Sequence, residues 1–507
     1  MSFHLCNFIV VATVLARPCC FMEIRLGVIL PEVSSYPWSI MHVMPAIEMA
    51  VESVQRDILP EHRVFTYVKD SECSATMGPL AAMDLHKDKH VHVLFGPVCP
   101  YAVAPVARFS PHWNVPLITA GASAYDFDYK SEFKLLTRVH ETFSKEADAI
   151  IQLASKFNWK HFGLLYQKYR RSAPGYSDCF HRISAIHLKI KETFPWYEIF
   201  VRILHSSYTD FDRILNSASQ NARIIVMCGS PDSVRELMIT ANELGYDNGE
   251  YVFLNIDSGE SENNFELPWY REEDTMERNN KARKAYEALM RISLLKQKSL
   301  EYSSFSNEVK LRAKLRYENF TSYEGEVNSY VGAFHDAVVL YALALNETIE
   351  ADESVTDGSA VTRRMWNKTF NGITGSVVID ENGDRIMDYS LLDMDPSTGR
   401  FQVVVNYIGQ SKELVPLPDR RIHWGNEYDS APPDTPSCGF DNSKCENNGE
   451  STDTSTSKSS SRRKVEDMLE SLQLTLSKIT EAVQGHNASL VAMTKLVKEE
   501  ARFDGDS

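Results

Sequence analysis

The residues best placed to do chemistry in this sequence are its cysteines, and the chemistry is cross-linking rather than catalysis. There are nine: Cys6, Cys19, Cys20, Cys73, Cys99, Cys179, Cys228, Cys438 and Cys445. None forms the paired CxxC spacing of a metal site. Asp and Glu are abundant, so a carboxylate pair can always be drawn, but nothing gives it a site. HExxH, Gly-x-Ser-x-Gly and a phosphate loop ending in Gly-Lys-Ser/Thr are all absent from the sequence. The fifteen histidines are scattered. His90 and His92 read as alternation along one strand rather than as metal ligands, so no metal and no enzymatic activity is expected.

One cysteine sits where a binding protein would use it. Residues 91–122, VHVLFGPVCPYAVAPVARFSPHWNVPLITAGA, read as strand, tight turn, helix and strand, with Cys99 just after the turn. The apolar run 91–95 is short and rich in β-branched and aromatic residues, and Gly96 and Pro97 end it. Residues 101–109 follow at helical spacing and 115–119 form the next strand. A parallel crossover of this kind puts the turn after its first strand at the carboxyl edge of the sheet, where open α/β proteins take ligands.

Elements of both kinds alternate around this unit. Residues 24–30 and 64–68 read as strands, and Ala46, Ile47, Ala50, Val51, Val54 and Ile58 repeat at helical spacing. A second alternation starts near Phe143: helix 147–157, strand 162–166, helix 179–193, strands 198–204 and 223–228, helix 232–244 and strand 251–256. Repeated βαβ units predict an α/β protein with two parallel-sheet lobes, each covered by helices. A long helix over 328–345 is expected to return to the first lobe. Residues 375–405, with their Asn382-Gly383 turn, are expected to complete the second.

The chain of 507 residues exceeds one ordinary core. Its formal charge, 53 − 69 = −16, argues against a nucleic-acid partner and suits a cationic ligand as well as plain solubility. The apolar run 8–16, followed by Arg17 and Pro18, reads as a secretory signal peptide within 1–20, with Val14 and Ala16 fitting the small-residue cleavage rule. Cleavage removes Cys6 and leaves an even set, as expected of a secreted, disulfide-bonded protein. Sequons at Asn319, Asn346, Asn367 and Asn487 fit export and glycosylation. No apolar run after 425 is long enough to span a bilayer. Residues 426–463 are rich in Ser, Thr, Pro and Asn and read as a linker. Over 464–500, Leu469, Leu472, Leu476, Ile479, Val483, His486, Leu490, Met493 and Val497 recur at spacings of three and four, the pattern of an oligomerising coiled coil.

Long stretches of the sequence resemble one family. The words GPVC, APVARF and VPLITAGA, together with SYPWS at 35–39, PLAAMDL at 79–85, FHDAVVLYALAL at 334–345, RMWNKTFNGITG at 364–375 and PDTPSCGFDN at 433–442, are similar to the ectodomain of natriuretic peptide receptors. The resemblance implies a type I periplasmic-binding-protein fold over 24–425. Lobe 1 would take 24–136 and 325–375, lobe 2 would take 137–324 and 376–425, and the chain would cross between them three times. It also implies bridges Cys73–Cys99 and Cys179–Cys228, closing loops of roughly 26 and 50 residues and each stabilising by about 3 to 4 kcal/mol. Cys438 and Cys445 are left to bridge locally or between chains.

The same resemblance implies a chloride ion, the one non-protein component expected, at Ser71, Val98 and Cys99, where amides at a helix start make an anion cradle. Val98 stands where some relatives have Gly, so its amide would make the contact. Implied peptide contacts are Tyr101, Arg108, Glu132, Tyr166 and Phe180, with Tyr101 and Arg108 two turns apart on one helix. Residues 173–177 and 197–205 depart from the family pattern. Arg170 and Arg171 form a basic pair in a loop.

The expected function is extracellular binding of a cyclic natriuretic-like peptide hormone by a secreted homodimer or higher homo-oligomer that serves as carrier or decoy. Two alternatives stand beside it: an isoform or fragment of a membrane receptor guanylyl cyclase or clearance receptor, and a small-molecule sensor of the same fold.

Overall fold

A computed structural model describes residues 22–167, 177–204, 210–257, 267–295, 299–320, 325–426, 429–441 and 443–446. The expected signal peptide, the Arg170-Arg171 pair, Asn487 and the heptad segment lie outside the described residues.

The chain begins with β1 (Glu23–Leu30), α1 (Ile40–Asp57), β2 (Arg63–Asp70), α2 (Met77–Lys89), β3 (Val93–Phe95), α3 (Pro100–Trp113), β4 (Leu117–Thr119) and β5 (Leu136–Arg138). These strands form a parallel five-stranded sheet in the order β2-β1-β3-β4-β5. On α1, Val43, Ile47, Ala50 and Val54 step by four, three and four residues, which turns one stripe toward β1. The other sheet face is covered by α2 and α3 through Leu85, Val103 and Val106.

After β5 come α4 (Phe143–Phe157), β6 (His161–Gln167), α5 (Asp178–Thr193), β7 (Glu198–Leu204), α6 (Phe211–Ser219), β8 (Ile224–Cys228), α7 (Pro231–Glu243), β9 (Val252–Ile256), α8 (Met276–Ala285) and β10 (Leu289–Leu294). Four of these helices begin at a side chain that accepts a backbone N–H: Ser177, Asp210, Ser230 and Thr275. Next are α9 (Leu300–Arg316), α10 (Ser329–Glu350), α11 (Gly358–Met365), β11 (Thr369–Gly372), β12 (Gly375–Ile379), β13 (Arg385–Ile386), β14 (Tyr389–Asp395), β15 (Arg400–Ile408) and β16 (Glu413–Pro416). The second sheet has eight strands, β16-β15-β14-β10-β9-β8-β6-β7. Its β7 to β10 half is parallel and its β14 to β16 edge is antiparallel. The mixed α/β architecture, with two large sheets flanked by helices, matches the expected class.

Two placements differ from expectation. Residues 375–386 do not join the second sheet: β11, β12 and β13 make a separate antiparallel sheet, and Val377 and Ile379 pack into the first core with α10. The Asn382-Gly383 turn does link two paired strands, β12 and β13. Helix α9 also belongs with the first core, where Phe305 and Val309 meet the α1 side. The chain therefore passes between the two large sheets and their cores after β5 at 139–142, between β10 and α9, and at 387–388 before β14.

A buried ionic lock holds the first crossing. Arg138, fully buried, donates to both carboxylate oxygens of Asp384, at 2.7 and 2.6 Å, and Lys130 donates to the same group at 2.9 Å. Burial alone would raise the Asp384 carboxyl, but Arg138 and Lys130 outweigh it and hold it at about 2. Residues 443–446, a single helical turn, belong to a separate unit.

Candidate functional site

The site grows from the turn after β3. Gly96 has φ of 80°, and a side chain there would strike the Ile29 carbonyl, so only glycine fits. Cys99 then caps α3 and bridges to Cys73, while Cys179 in the first turn of α5 bridges to Cys228 at the end of β8. Both family-implied pairs are present, one beside each sheet. Cys438 and Cys445 are each disulfide-bonded as well.

Ser71, Val98 and Cys99 come together around that turn and are all buried. The Ser71 hydroxyl accepts from the Cys73 amide at 3.2 Å, and the Val98 carbonyl accepts from the Ala122 amide. The amides of Val98 and Cys99 donate to no acceptor among the described residues. Two unpaired N–H groups at a helix start are the inventory an anion requires.

The implied peptide contacts fall into three groups. Tyr101, half-buried, places its hydroxyl 3.7 Å from Cys73 Sγ and packs with Tyr36. Burial, with Tyr36 and Asp178 adding negative potential, pushes its hydroxyl up to about 12, so it stays protonated and able to donate. Tyr166 and Phe180 meet edge to face, with ring centroids 5.7 Å apart, and Ser177 caps the α5 turn by accepting from the Phe180 amide at 3.2 Å. Asp178 in that turn is within electrostatic reach of the Tyr101 hydroxyl.

Arg108 and Glu132 are each other's partners, at 2.5 Å, and Arg108 also lies over the Phe133 ring. Both side chains are about half exposed, so the pair contributes little to stability. The pair fixes the orientation of the Glu132 carboxylate on the surface.

Three residues beside these positions went unassigned in the sequence: Tyr36, Asp178 and His181. Tyr36 lies within the matched SYPWS word, so the signal was available. His181 is held below its ordinary value by burial, opposed by Asp178 and Asp126. Asp126 lies in the first sheet's 3-10 turn, and neighbouring Tyr125 donates its hydroxyl to Glu192 of α5. Among the described residues no group of three or more His, Cys, Asp or Glu is arranged to hold a metal.

Known proteins carry the same region. The family described as "Receptor family ligand binding region" matches residues 42–397. The chain is 32% identical over 421 residues to "Atrial natriuretic peptide receptor 3" of Homo sapiens, covering 80% of this chain and 74% of that one. It is 34% identical over 477 residues to "Receptor-type guanylate cyclase gcy-28" of Caenorhabditis elegans, covering 82% of this chain and 36% of that one. It is 32% identical over 442 residues to "Atrial natriuretic peptide receptor 2" of Rattus norvegicus, covering 84% of this chain and 41% of that one. With a disulfide beside each of the two large sheets, these matches establish that the chain belongs to the receptor ligand-binding family of the natriuretic peptide receptors.

Proposed function

We propose that this chain binds a natriuretic-like cyclic peptide hormone outside the cell, as a homodimer or higher homo-oligomer, and acts as a carrier or decoy. The reading is supported by two aromatic pairs, Tyr101 with Tyr36 at the start of α3 and Tyr166 with Phe180 at the start of α5, and by the Glu132 carboxylate that Arg108 of α3 orients. Aromatic anchors rimmed by a few charges are the composition of a peptide-binding surface. Two relatives are named as receptors for atrial natriuretic peptide, which supports the choice of ligand. The lobes would move about the crossings at 139–142, between β10 and α9, and at 387–388.

Ser71 and the Val98 and Cys99 amides form the proposed chloride cradle. Self-association is supported by α2, where Met77, Leu80 and Met83 recur every third residue and are all exposed. Disulfides beside both sheets fit an oxidising compartment. Asn319 and Asn367 are exposed and suit glycans, whereas Asn346 is half-buried and donates to Glu350 at 2.8 Å. No helix among the described residues is long and apolar enough to cross a membrane.

The test is expression of the tagged chain in cultured animal cells, followed by fractionation and labelled-peptide binding. Protein in the medium that takes up a disulfide-ringed natriuretic peptide, more weakly after chloride removal, is the expected result. Retention in membranes would remove the carrier or decoy role, and soluble protein without peptide binding would remove the hormone. A second reading, the ectodomain of a membrane receptor, is favoured by the guanylate cyclase relative, of which the matched region is 36%. Transcripts joining this sequence to a membrane-spanning exon would establish it.

A further inference from the structure

Among the described residues five arginines are buried: Arg138, Arg182, Arg223, Arg235 and Arg385. Four have a carboxylate against the guanidinium: Arg138 meets Asp384 at 2.6 Å, Arg182 meets Glu146 at 2.6 Å, Arg223 meets Glu250 at 2.7 Å and Arg235 meets Asp274 at 2.8 Å. Arg385, 4% exposed, has none. Its Nη1 donates to the Val139 carbonyl at 3.3 Å and its Nη2 to Thr374 Oγ1 at 2.8 Å. Its Nε–H, also buried, has no acceptor. The carboxylate of Asp336 is reached only through the Thr374 hydroxyl, which donates to it. A guanidinium taken out of water without a counter-ion is costly, and proteins pair such charges.

A second unused nitrogen, on an imidazole ring, lies near it. His140, 3% exposed, follows Val139 in the first crossing, stacks on Tyr330 at 4.4 Å and shares a hydrogen bond with Ser329 Oγ through Nε2 at 2.9 Å. Its Nδ1 is buried and has no partner. In the tautomer in which the Ser329 hydroxyl donates to Nε2, the ring proton sits on Nδ1 as a free donor. Arg385 and Arg182 both lie within electrostatic reach of the ring, Arg182 paired with Glu141 and Glu146 and Arg385 within reach of Asp336 and Asp388 without an ion pair to either.

We infer that Arg385 and His140 hold a small monovalent anion, chloride or a small carboxylate, between the first and third crossings. Arg385 Nε–H and His140 Nδ1–H supply the hydrogen bonds, and the anion supplies the charge that the other four buried arginines receive from side chains. The site is separate from the Ser71, Val98 and Cys99 cradle and does not depend on hormone binding. Occupancy would tie β13 to the segment that leaves β5, stiffening the connection between the lobes.

Crystals of the full chain grown without chloride and soaked in bromide or acetate test the assignment through anomalous scattering and difference density. The expected result is a bromide peak, or acetate density, within hydrogen-bond distance of Arg385 Nε and His140 Nδ1. Bromide and acetate soaks separate the inorganic from the carboxylate source. Loss of one hydrogen bond to an ion should raise the half-saturating concentration roughly tenfold or more in His140→Phe, which keeps a ring against Tyr330. Arg385→Gln should abolish binding, and His140→Phe carries the test if that variant does not fold. Neither anion at the site under saturating soak, or occupancy unchanged in His140→Phe as for an adventitious ion, would overturn the inference.

Discussion

Arg182 of α5 lies 2.6 Å from Glu146 of α4, and both side chains are sealed from solvent, at 3% and 2% exposure. The same guanidinium reaches Glu141 of the first crossing at 2.7 Å. Two buried carboxylates thus share one cation, and Arg182 also covers the Phe143 ring at 4.4 Å. The first turn of α5, which carries Phe180, is thereby anchored to a crossing as well as to β8 through its disulfide.

Glu146 should make stability fall as pH rises toward neutrality. Burial pushes its carboxyl up to about 7, with Arg182 opposing and Glu141 and Asp257 reinforcing the shift. The folded state therefore holds a proton that the unfolded chain releases near the ordinary glutamate value. Stability from this group is full below that value, declines between the two values and is lost above about 7, an effect of about 3 kcal/mol. Glu146→Gln mimics the protonated acid. Urea melts should place the variant level with the parent near pH 5 and above it at pH 8; a variant weaker than the parent at pH 8 would refute the assignment.

Asp384 anchors two cations at once, so its loss is expensive. Asp384→Ala leaves Lys130, one-tenth exposed, without its carboxylate and leaves fully buried Arg138 with Asp128 alone. The expected loss is about 3 to 5 kcal/mol. Asp384→Asn keeps one acceptor and should lose less. Equal denaturation midpoints for the alanine variant and the parent would show that the lock does not stabilise the fold.

The lock also shows where sequence reading stops. Strands 24–30 and 198–204 and helix 179–193 were legible because apolar periodicity is local. Helix α9 is highly charged, and its Leu311 and Leu315 face solvent while Phe305 and Val309 face the core. Nothing in that pattern says which sheet it serves. Arg138 and Asp384 are 246 residues apart in sequence, and the Asn382-Gly383 turn announced a hairpin without announcing its partner. At the site, the half-turn cysteines and family words located Tyr101 and Phe180. Arg108 and Glu132 were both picked out, yet their pairing depends on the path of 125–135 around α3.

That pairing separates binding from folding. Because both side chains are half exposed, Arg108→Ala should change stability by less than about 1 kcal/mol. Glu132→Gln should leave the melting temperature unmoved and weaken a cationic peptide about tenfold, the loss of one charged hydrogen bond. Phe180→Ala removes an aromatic anchor and should cost roughly 2 kcal/mol of binding, about thirtyfold in Kd. Calorimetric titration of labelled natriuretic peptide against the three variants measures this. Unchanged affinity in both Glu132→Gln and Phe180→Ala would move the hormone away from the α3 and α5 turns.

Self-association through α2 makes a prediction that needs no ligand. Met77, Leu80 and Met83 share one exposed face, whereas the buried Ala81, Ala82 and Leu85 hold the opposite face against the sheet. Leu80→Glu therefore places a charge on the outer stripe without entering the core. If two copies meet there, desolvating an unpaired carboxylate should shift sedimentation toward monomer at micromolar concentration while the melting temperature of the dissociated chain is unchanged. A parent protein that sediments as monomer, or a Leu80→Glu variant with the parent's association constant, would assign the stripe to some other contact.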